Sequence, residues 1–256
     1  MRSNRPRKNG APSNESAMPS RNSLAIGKTP IVVNDSRGFY TSRVFATYIM
    51  EGLAMLGEGV HPRSIEVAGL KAGMPMPPMA LQDEVSLSLS LHIAEQTRKD
   101  LIAEGKTVPE HPAAAVLQNI GGTHNRVGKK TGKGLYDYNG KEKTLWPELT
   151  KLYPPKAVQP SQQELVDRLL YVQANEAARC FEENVVRSVA DTNIGSIFGW
   201  GFAPNQGGAL QFINAVGPKK FVERARELAK AHGPRFEPAA IIVKMAQEGG
   251  RFEDTV

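Results

Sequence analysis

Residues 39–59 have the sequence FYTSRVFATYIMEGLAMLGEG, which fixes the first element of the fold. The large apolar residues of this stretch recur at intervals of four, four and three, the spacing of one face of an α-helix. They are Phe45, Ile49, Leu53 and Leu56. Gly57 and Gly59 then end the helix. Before it, residues 34–38 (NDSRG) form a turn-forming cluster. The stretch therefore predicts a turn followed by an amphipathic helix.

Further helices follow on the C-terminal side of this one. His61-Pro62 opens a short helix to Leu70, and residues 73–78 (GMPMPP) form a proline-rich loop. The next helix is predicted to continue to about Gly105. Within it, residues 85–91 alternate leucine or valine with serine, as a strand would. The helical spacing of Leu87, Leu91, Ala94 and Leu101 favours a buried helix instead.

A second long helix begins after Ser161, where Ser161 and Glu164 have the spacing of a capping box. Arg168 and Glu176 in this helix repeat Arg43 and Glu51 of the first one at a constant offset of 125 residues. In both halves a long helix, a short helix and a Gly/Pro loop follow one another. The shared order predicts a tandem duplication of a helical unit.

This organisation divides the chain into four parts. Residues 1–25 are rich in Ser, Asn, Pro and Arg and are predicted to be a disordered basic tail. Residues 26–146 form the first helical unit, residues 147–160 a linker with four prolines, and residues 161–256 a second, degenerate unit. The predicted fold class is all-α.

The charge of the chain is concentrated at its N-terminus. The net charge is +6, and residues 1–28 carry six basic residues against Glu15, a net +5. The body is therefore nearly neutral, which argues against nucleic-acid binding. A single cysteine excludes an intrachain disulfide and a cysteine zinc cluster. No apolar run has the length of a membrane span. The tail has the composition of a transit peptide but contains Gly and Pro and no amphipathic helix.

Two glycine-rich stretches fail the tests for nucleotide-binding loops. Residues 128–134 (GKKTGKG) have the wrong glycine spacing for a phosphate loop and lack the Ser or Thr that binds magnesium. Gly199-Trp200-Gly201 lacks both the spacing and the preceding strand of a dinucleotide fingerprint. What remains is that Lys129, Lys130 and Lys133 attract the phosphates of an anionic ligand by charge.

The other candidate residues favour structural roles. The five histidines show no metal-binding spacing, and His92, on a mostly apolar segment, is predicted to be a core or interface residue. No metal site is predicted. Asp83 and Glu84 are adjacent, so on a helix they point about 100° apart, which favours packing or capping over acid–base chemistry. Asn34 offers both a donor and an acceptor at a strand-to-helix turn, where a capping turn and a cleft residue are both open.

Three ordered motifs resemble one known family, the C-terminal domain of 3-hydroxyacyl-CoA dehydrogenases. They are residues 30–39 (PIVVNDSRGF) with Arg43, residues 73–78 with Leu81, Asp83 and Glu84, and residues 130–138 (KTGKGLYDY). Arg37 stands where the family usually has Pro, and Pro77 where it has Gly. Residues 194–209 are similar to the second copy of this domain in the multifunctional α-subunits of fatty-acid oxidation complexes.

The resemblance implies a fold and a reaction. It implies two tandem helical units with the fold of the 6-phosphogluconate dehydrogenase C-terminal domain. In the family, 3-hydroxyacyl-CoA transfers hydride to NAD while a histidine paired with a glutamate removes the hydroxyl proton. Both residues and the NAD-binding domain lie upstream of the matching segment, so this chain is expected to lack them and to be inactive alone. Asn34 matches a family asparagine near the substrate.

The resemblance also implies partners. These are 3-hydroxyacyl-CoA, an NAD-binding domain or full-length homologue, a thiolase subunit and a second copy of the chain. A cytoplasmic location is expected, with the mitochondrial matrix as the alternative. The alternative function is a non-catalytic, truncated paralogue that acts as an interaction or dimerisation protein.

Overall fold

The computed structural model describes residues 27–254. The predicted disordered tail, residues 1–25, lies outside them. The chain divides into a unit of residues 1–32, of which 27–32 contain no helix or strand, and a compact unit of residues 33–256. The predicted all-α class is confirmed within the described residues. The α-helices, labelled α1 to α11 in chain order, are Thr41–Gly57, Pro62–Lys71, Pro78–Val85, Leu87–Ala103, Ala113–Leu117, Leu149–Leu152, Gln162–Glu182, Val189–Trp200, Ala209–Val216, Pro218–His232 and Ala240–Glu248.

A small hairpin and several short helical turns complete the first half. Strands β1 (Tyr136–Asn139) and β2 (Glu142–Leu145) pair antiparallel, Tyr136 opposite Leu145. A π-helical turn, Gln118–Thr123, and a 3-10 helix, Lys129–Thr131, lie before the hairpin. The sequence predicted no strand there, because two four-residue strands with few β-branched residues give a weak signal.

The core forms between the two long helices, α1 and α7. Tyr48, Leu53 and Leu56 of α1 are fully buried, as are Leu165 and Leu169 of α7. Opposite ends of the two helices meet, since Arg43 near the start of α1 contacts Glu176 and Glu183 near the end of α7. The helices therefore run antiparallel, and their apolar faces seal the centre of the molecule.

Helix starts follow the expected chemistry. The His61 imidazole accepts a hydrogen bond from the backbone N–H of Arg63 at the start of α2, and Pro62 occupies the first turn. The Ser161 hydroxyl caps α7 by accepting from Glu164 N at 3.1 Å. The Glu164 carboxylate does not complete the capping box. It bonds to His232 instead, at 2.9 Å.

The prediction of one buried helix from residue 78 to about Gly105 is wrong in two respects. The helix breaks at Ser86, which has φ 84° and ψ 127°, so α3 and α4 are separate. Of α4 only Leu87 is buried, while Leu89 is 47% exposed and Ile93 53% exposed. Its main neighbours among the described elements are α3, α5 and the π-helical turn.

The break at Ser86 recurs in the second half. Gly217, between α9 and α10, has φ 89° and ψ 126°, almost the same dihedral angles. In this region a side chain clashes with the backbone, and glycine is the residue that adopts it freely. The two joints thus have one geometry, with serine in the first half and glycine in the second.

This comparison predicts opposite effects of exchanging the residues. Ser86→Gly relieves backbone strain at the loss of a long, 3.4 Å cap bond to Leu89 N, so we expect stabilisation of about 1–2 kcal/mol. Gly217→Ala should cost about 1–3 kcal/mol from strain alone, because an added Cβ meets open space there. Urea unfolding measures both. A lower free energy of unfolding in Ser86→Gly would contradict the backbone strain inferred at Ser86.

The ion pairs between α1 and α7 are reciprocal. Arg43 bonds Glu176 and Glu183, and Arg168 bonds Glu51 and Glu58, so each residue of one group corresponds to one of the other at an offset of 125. The sequence comparison found Arg43, Glu51 and their counterparts, but not the match of Glu58 with Glu183. The Arg168–Glu51 pair is fully buried, whereas the Arg43 side chain is 22% exposed and that of Glu183 49%.

The difference in burial predicts that the ion pairs of Arg168 contribute more to the stability of the fold than those of Arg43. Arg168→Ala leaves Glu51 as a buried carboxylate with only Arg235 beside it, which should destabilise the fold by about 3–5 kcal/mol. Arg43→Ala leaves Glu176 and Glu183 partly hydrated and near Arg179, and should cost about 1–2 kcal/mol. Urea unfolding of the two variants tests the ranking, and equal losses would contradict it.

Candidate functional site

Asn34 lies at the beginning of the compact unit, against the turn between α7 and α8. Its side-chain Nδ2 donates to the carbonyl of Asn184 at 2.5 Å. Its Oδ1 accepts from Nε and Nη2 of Arg187 at 3.1 and 2.5 Å. Both ends of the amide therefore have protein partners. The substrate contact predicted for Asn34 stays a prediction, and it would require one of these hydrogen bonds to be exchanged.

The three lysines predicted to attract phosphates lie on and just after the 3-10 helix. Lys129 forms an ion pair with Glu84 on α3. Lys130 and Lys133 are both exposed. Among the described residues, no hydrogen bond or ion pair joins these lysines to Asn34. The structure thus places the two predicted parts of the site on separate elements.

Asp83 shapes the glycine-rich loop that carries those lysines. Its carboxylate accepts hydrogen bonds from the backbone N–H groups of Leu135 and Tyr136 and from the Tyr138 hydroxyl, at 2.7–2.9 Å. A Cβ on Gly134 would lie 2.1 Å from the Asp83 carboxylate oxygen, so only glycine fits there. Burial raises the pKa of Asp83, although these donors oppose the shift. The packing role favoured for Asp83 agrees with this geometry.

Glu66 is a buried carboxylate that the sequence did not single out. It accepts from Met79 N at 2.9 Å and Ala80 N at 3.3 Å, at the start of α3, and from the Tyr136 hydroxyl. These bonds tie α2, α3 and the hairpin together. In the second half, the side-chain Oδ1 of Asn193 caps α9 in a similar manner. It accepts hydrogen bonds from the backbone N–H groups of Leu210 and Gln211. Only the burial of Glu66, invisible in a sequence, distinguishes it from a surface glutamate.

The histidines take structural positions. His61 and His111 accept from backbone N–H groups two residues ahead. His92 is exposed on α4, so the prediction of a core position was wrong, because α4 itself is not buried. His232 has Nε2 2.9 Å from Glu164 and Nδ1 3.8 Å from Glu58. Both of its ring nitrogens face carboxylates, so neither is open to a substrate hydroxyl.

Metal ligation and membrane crossing find no support in the described part of the chain. Residues 27–254 contain no group of three or more His, Cys, Asp or Glu side chains that could hold a metal ion. In the same residues, no helix combines the length and the apolar composition that spanning a bilayer needs.

Part of the chain matches one family model, and its fold is similar to that of two solved structures. Residues 38–138 match the family model described as 3-hydroxyacyl-CoA dehydrogenase, C-terminal domain. The fold is similar to that of 3-hydroxybutyryl-CoA dehydrogenase from Escherichia coli K12, with a TM-score of 0.68 and 18% identity over 88% of this chain. It is also similar to the dehydrogenase part of multifunctional enzyme 1 from C. elegans, with a TM-score of 0.58 and 18% identity over 86% of this chain.

The chain is shorter than both of these structures. It spans 63% of the E. coli chain and 50% of the C. elegans chain. At 18% identity, the likeness to them establishes a shared fold, and the family match extends over residues 38–138.

The buried Glu66 predicts a pH-dependent stability. Burial raises the pKa of Glu66 to about 7, above its ordinary value of 4.5, although its three donors oppose the shift. A raised pKa in the folded state stabilises the fold while the carboxyl is protonated, and this contribution is lost as pH rises through about 7. We expect the stability of the native chain relative to Glu66→Gln to fall by about 2–3 kcal/mol between pH 5 and pH 8.

Urea unfolding of both proteins over this pH range provides the measurement. Glu58 titrates in both proteins and cancels in the difference. A difference that does not change with pH would show that the donors keep the Glu66 carboxylate ionised throughout, contrary to this prediction.

Proposed function

We propose that this chain, whose residues 38–138 carry the C-terminal domain of the 3-hydroxyacyl-CoA dehydrogenase family, is the helical substrate-cleft and assembly module of an NAD-dependent L-3-hydroxyacyl-CoA dehydrogenase of fatty-acid β-oxidation. The family match carries the proposal, and the two longer structures of similar fold support it. The sheet of the described residues is a two-stranded antiparallel hairpin, which does not supply the parallel sheet of a dinucleotide fold. NAD therefore belongs, in this proposal, to a domain outside residues 27–254.

We further propose that the two halves are tandem copies of one helical unit, as in multifunctional enzymes. The reciprocal pairing of Arg43 and Arg168 with glutamates at a constant offset supports this. The Gly/Pro loops of the two halves also contact each other reciprocally. A Cβ on Gly73 would meet Ala203, and a Cβ on Gly201 would meet Pro75. Both relations are those of an isologous, two-fold interface, in which residue i contacts j and j contacts i.

The division of labour follows from these elements. The NAD-binding domain would supply the proton acceptor and the dinucleotide, and the helical module would cover the acyl-CoA. Lys129, Lys130 and Lys133 are our candidates for attraction of CoA phosphates, and Asn34 for a substrate contact. Lys130 and Lys133 have no carboxylate within ion-pair distance among the described residues, which leaves their charge for an anionic ligand. The expected locations remain the cytoplasm or, alternatively, the mitochondrial matrix.

Two measurements on the purified chain test this function. With acetoacetyl-CoA and NADH, the chain alone should show no consumption of NADH beyond the host background. In calorimetric titration it should bind acetoacetyl-CoA weakly. Replacing Lys129, Lys130 and Lys133 by Gln should remove the salt-dependent part of that binding, and Asn34→Ala should weaken the remainder.

The matched control replaces Lys219 and Lys220, exposed at the start of α10, by Gln and should leave binding unchanged. Turnover by the chain alone, or acetoacetyl-CoA binding that is absent or indifferent to the three lysines, would count against the proposal.

The alternative function, a non-catalytic interaction protein, draws on a separate observation. Large apolar side chains are exposed on α4 and α8, with Ile93 53% and Phe198 74% exposed. Isolated exposed apolar residues are common, but contiguous patches mark interfaces. Self-association, a mixed assembly with a full-length homologue and binding of a thiolase subunit are proposals of this kind. Light scattering and pull-down with a tagged chain distinguish them, and assembly without acyl-CoA binding would favour this alternative.

A further inference from the structure

The segment that leads into α1 is bound by the second half of the chain. We define this lead-in segment as residues 33–40. Val33 forms an antiparallel bridge with Val186, and the backbone N–H of Asn34 donates to the carbonyl of Val185 at 2.8 Å. The partner residues belong to the turn between α7 and α8, about 150 positions along the chain. The second half therefore binds the backbone of the segment at which the first half begins.

Side chains strengthen this backbone contact. The Asn34 amide is bound at both ends, by the carbonyl of Asn184 and by the guanidinium of Arg187. Asn184 has φ +57°, a left-handed conformation that asparagine tolerates better than most residues and that ends the α7 turn. Within residues 27–254 Arg187 has no carboxylate partner, so Asn34 is the group that orients its guanidinium.

The remainder of the lead-in segment is held in a tight turn. Gly38 and Phe39 both have positive φ, +75° and +47°. For phenylalanine this conformation is strained, and it persists only where surrounding contacts impose it. One such contact is on α8, where the carbonyl of Thr192 accepts from the buried Tyr40 hydroxyl at 2.8 Å. Another is the ion pair between Arg37 and Glu104 at the end of α4.

We infer that the second helical unit acts as a clamp that fixes the direction in which the chain enters the first unit, with Arg187 as its positioning residue. The inference deepens the proposed function and rests on it for its purpose. In a dehydrogenase whose NAD-binding domain precedes the helical module, the lead-in segment is the joint between the two. The second helical unit, a degenerate copy without chemistry of its own, would then serve to hold that joint in place.

A spin label on the lead-in segment measures the clamp directly. The chain has a single native thiol, Cys180, which is buried, and burial raises its pKa to about 12. It is therefore inert towards thiol reagents, and a nitroxide will attach selectively to Asp35→Cys, an exposed position. Lys244→Cys, exposed on α11, carries the label in a reference protein.

We expect Arg187→Ala to shorten the rotational correlation time of the label at position 35 severalfold and to leave the label at position 244 unchanged. Arg187→Lys should restore part of the order, because lysine keeps the charge but loses the planar, two-donor contact. The matched control is Arg251→Ala, which removes an exposed arginine paired only with Glu253, and it should change neither label.

Two results would overturn the clamp. One is an unchanged label at position 35 in Arg187→Ala. The other is an equal gain of mobility at both positions, which would make Arg187 a support of the whole fold. Neither readout involves acyl-CoA or NAD, so the clamp is tested separately from the dehydrogenase function. If the label at position 35 responds as expected but the chain binds no acyl-CoA, the clamp is supported and the dehydrogenase function is rejected.

Discussion

The structure depends on the antiparallel contact between α1 and α7, which is closed at each end by an arginine that bonds two glutamates of the opposite helix. A buried ion pair adds little net stability over apolar packing, because desolvation of both charges offsets their attraction. Its value lies in register. A shift of α7 by one turn would leave the fully buried Arg168 without its two carboxylates and the buried Glu51 with Arg235 alone. The apolar faces make the helices associate, and the ion pairs select one alignment.

The sequence predicted the helical class and the Arg–Glu repeat of the two long helices, because both depend on spacing within one helix. The four apolar residues of α1 and the Arg–Glu interval need no knowledge of the partner. What the sequence could not show is burial that depends on distant segments. The leucines of α4 have a core-like spacing, yet of this helix only Leu87 is buried by the part of the chain that the structure describes. Glu66 and Glu95 are indistinguishable as letters, although one lies at the junction of α2, α3 and the hairpin and the other on an open surface.

The candidate site shows the same limit more strongly. The sequence identified Asn34 as a polar residue at a strand-to-helix turn, and the structure has it in the lead-in segment before α1, next to an isolated bridge at Val33 and not after a strand. It could not identify Arg187 and Asn184, because no local pattern connects residues 150 positions apart. The glycine-rich loop at 128–134 was excluded as a phosphate loop by its glycine spacing and by the absence of a Ser or Thr after its last lysine. The structure adds the reason for one of its glycines, since Gly134 leaves room for the Asp83 carboxylate.

The differences between the two halves are as informative as their likeness. At the α3–α4 joint the first half keeps a strained serine where the second has glycine, and α4 is exposed where its counterpart α10 buries Phe221, Ala225 and Leu228. A half that only had to fold would be expected to relieve such strain and cover such a helix. The second half has glycine at this joint and buries the apolar face of α10, and it also bonds to Asn34 and Tyr40 of the lead-in segment. In the proposed function, the exposed surface of α4 is available to a ligand or a further domain, and the second half holds the segment that leads into the first half.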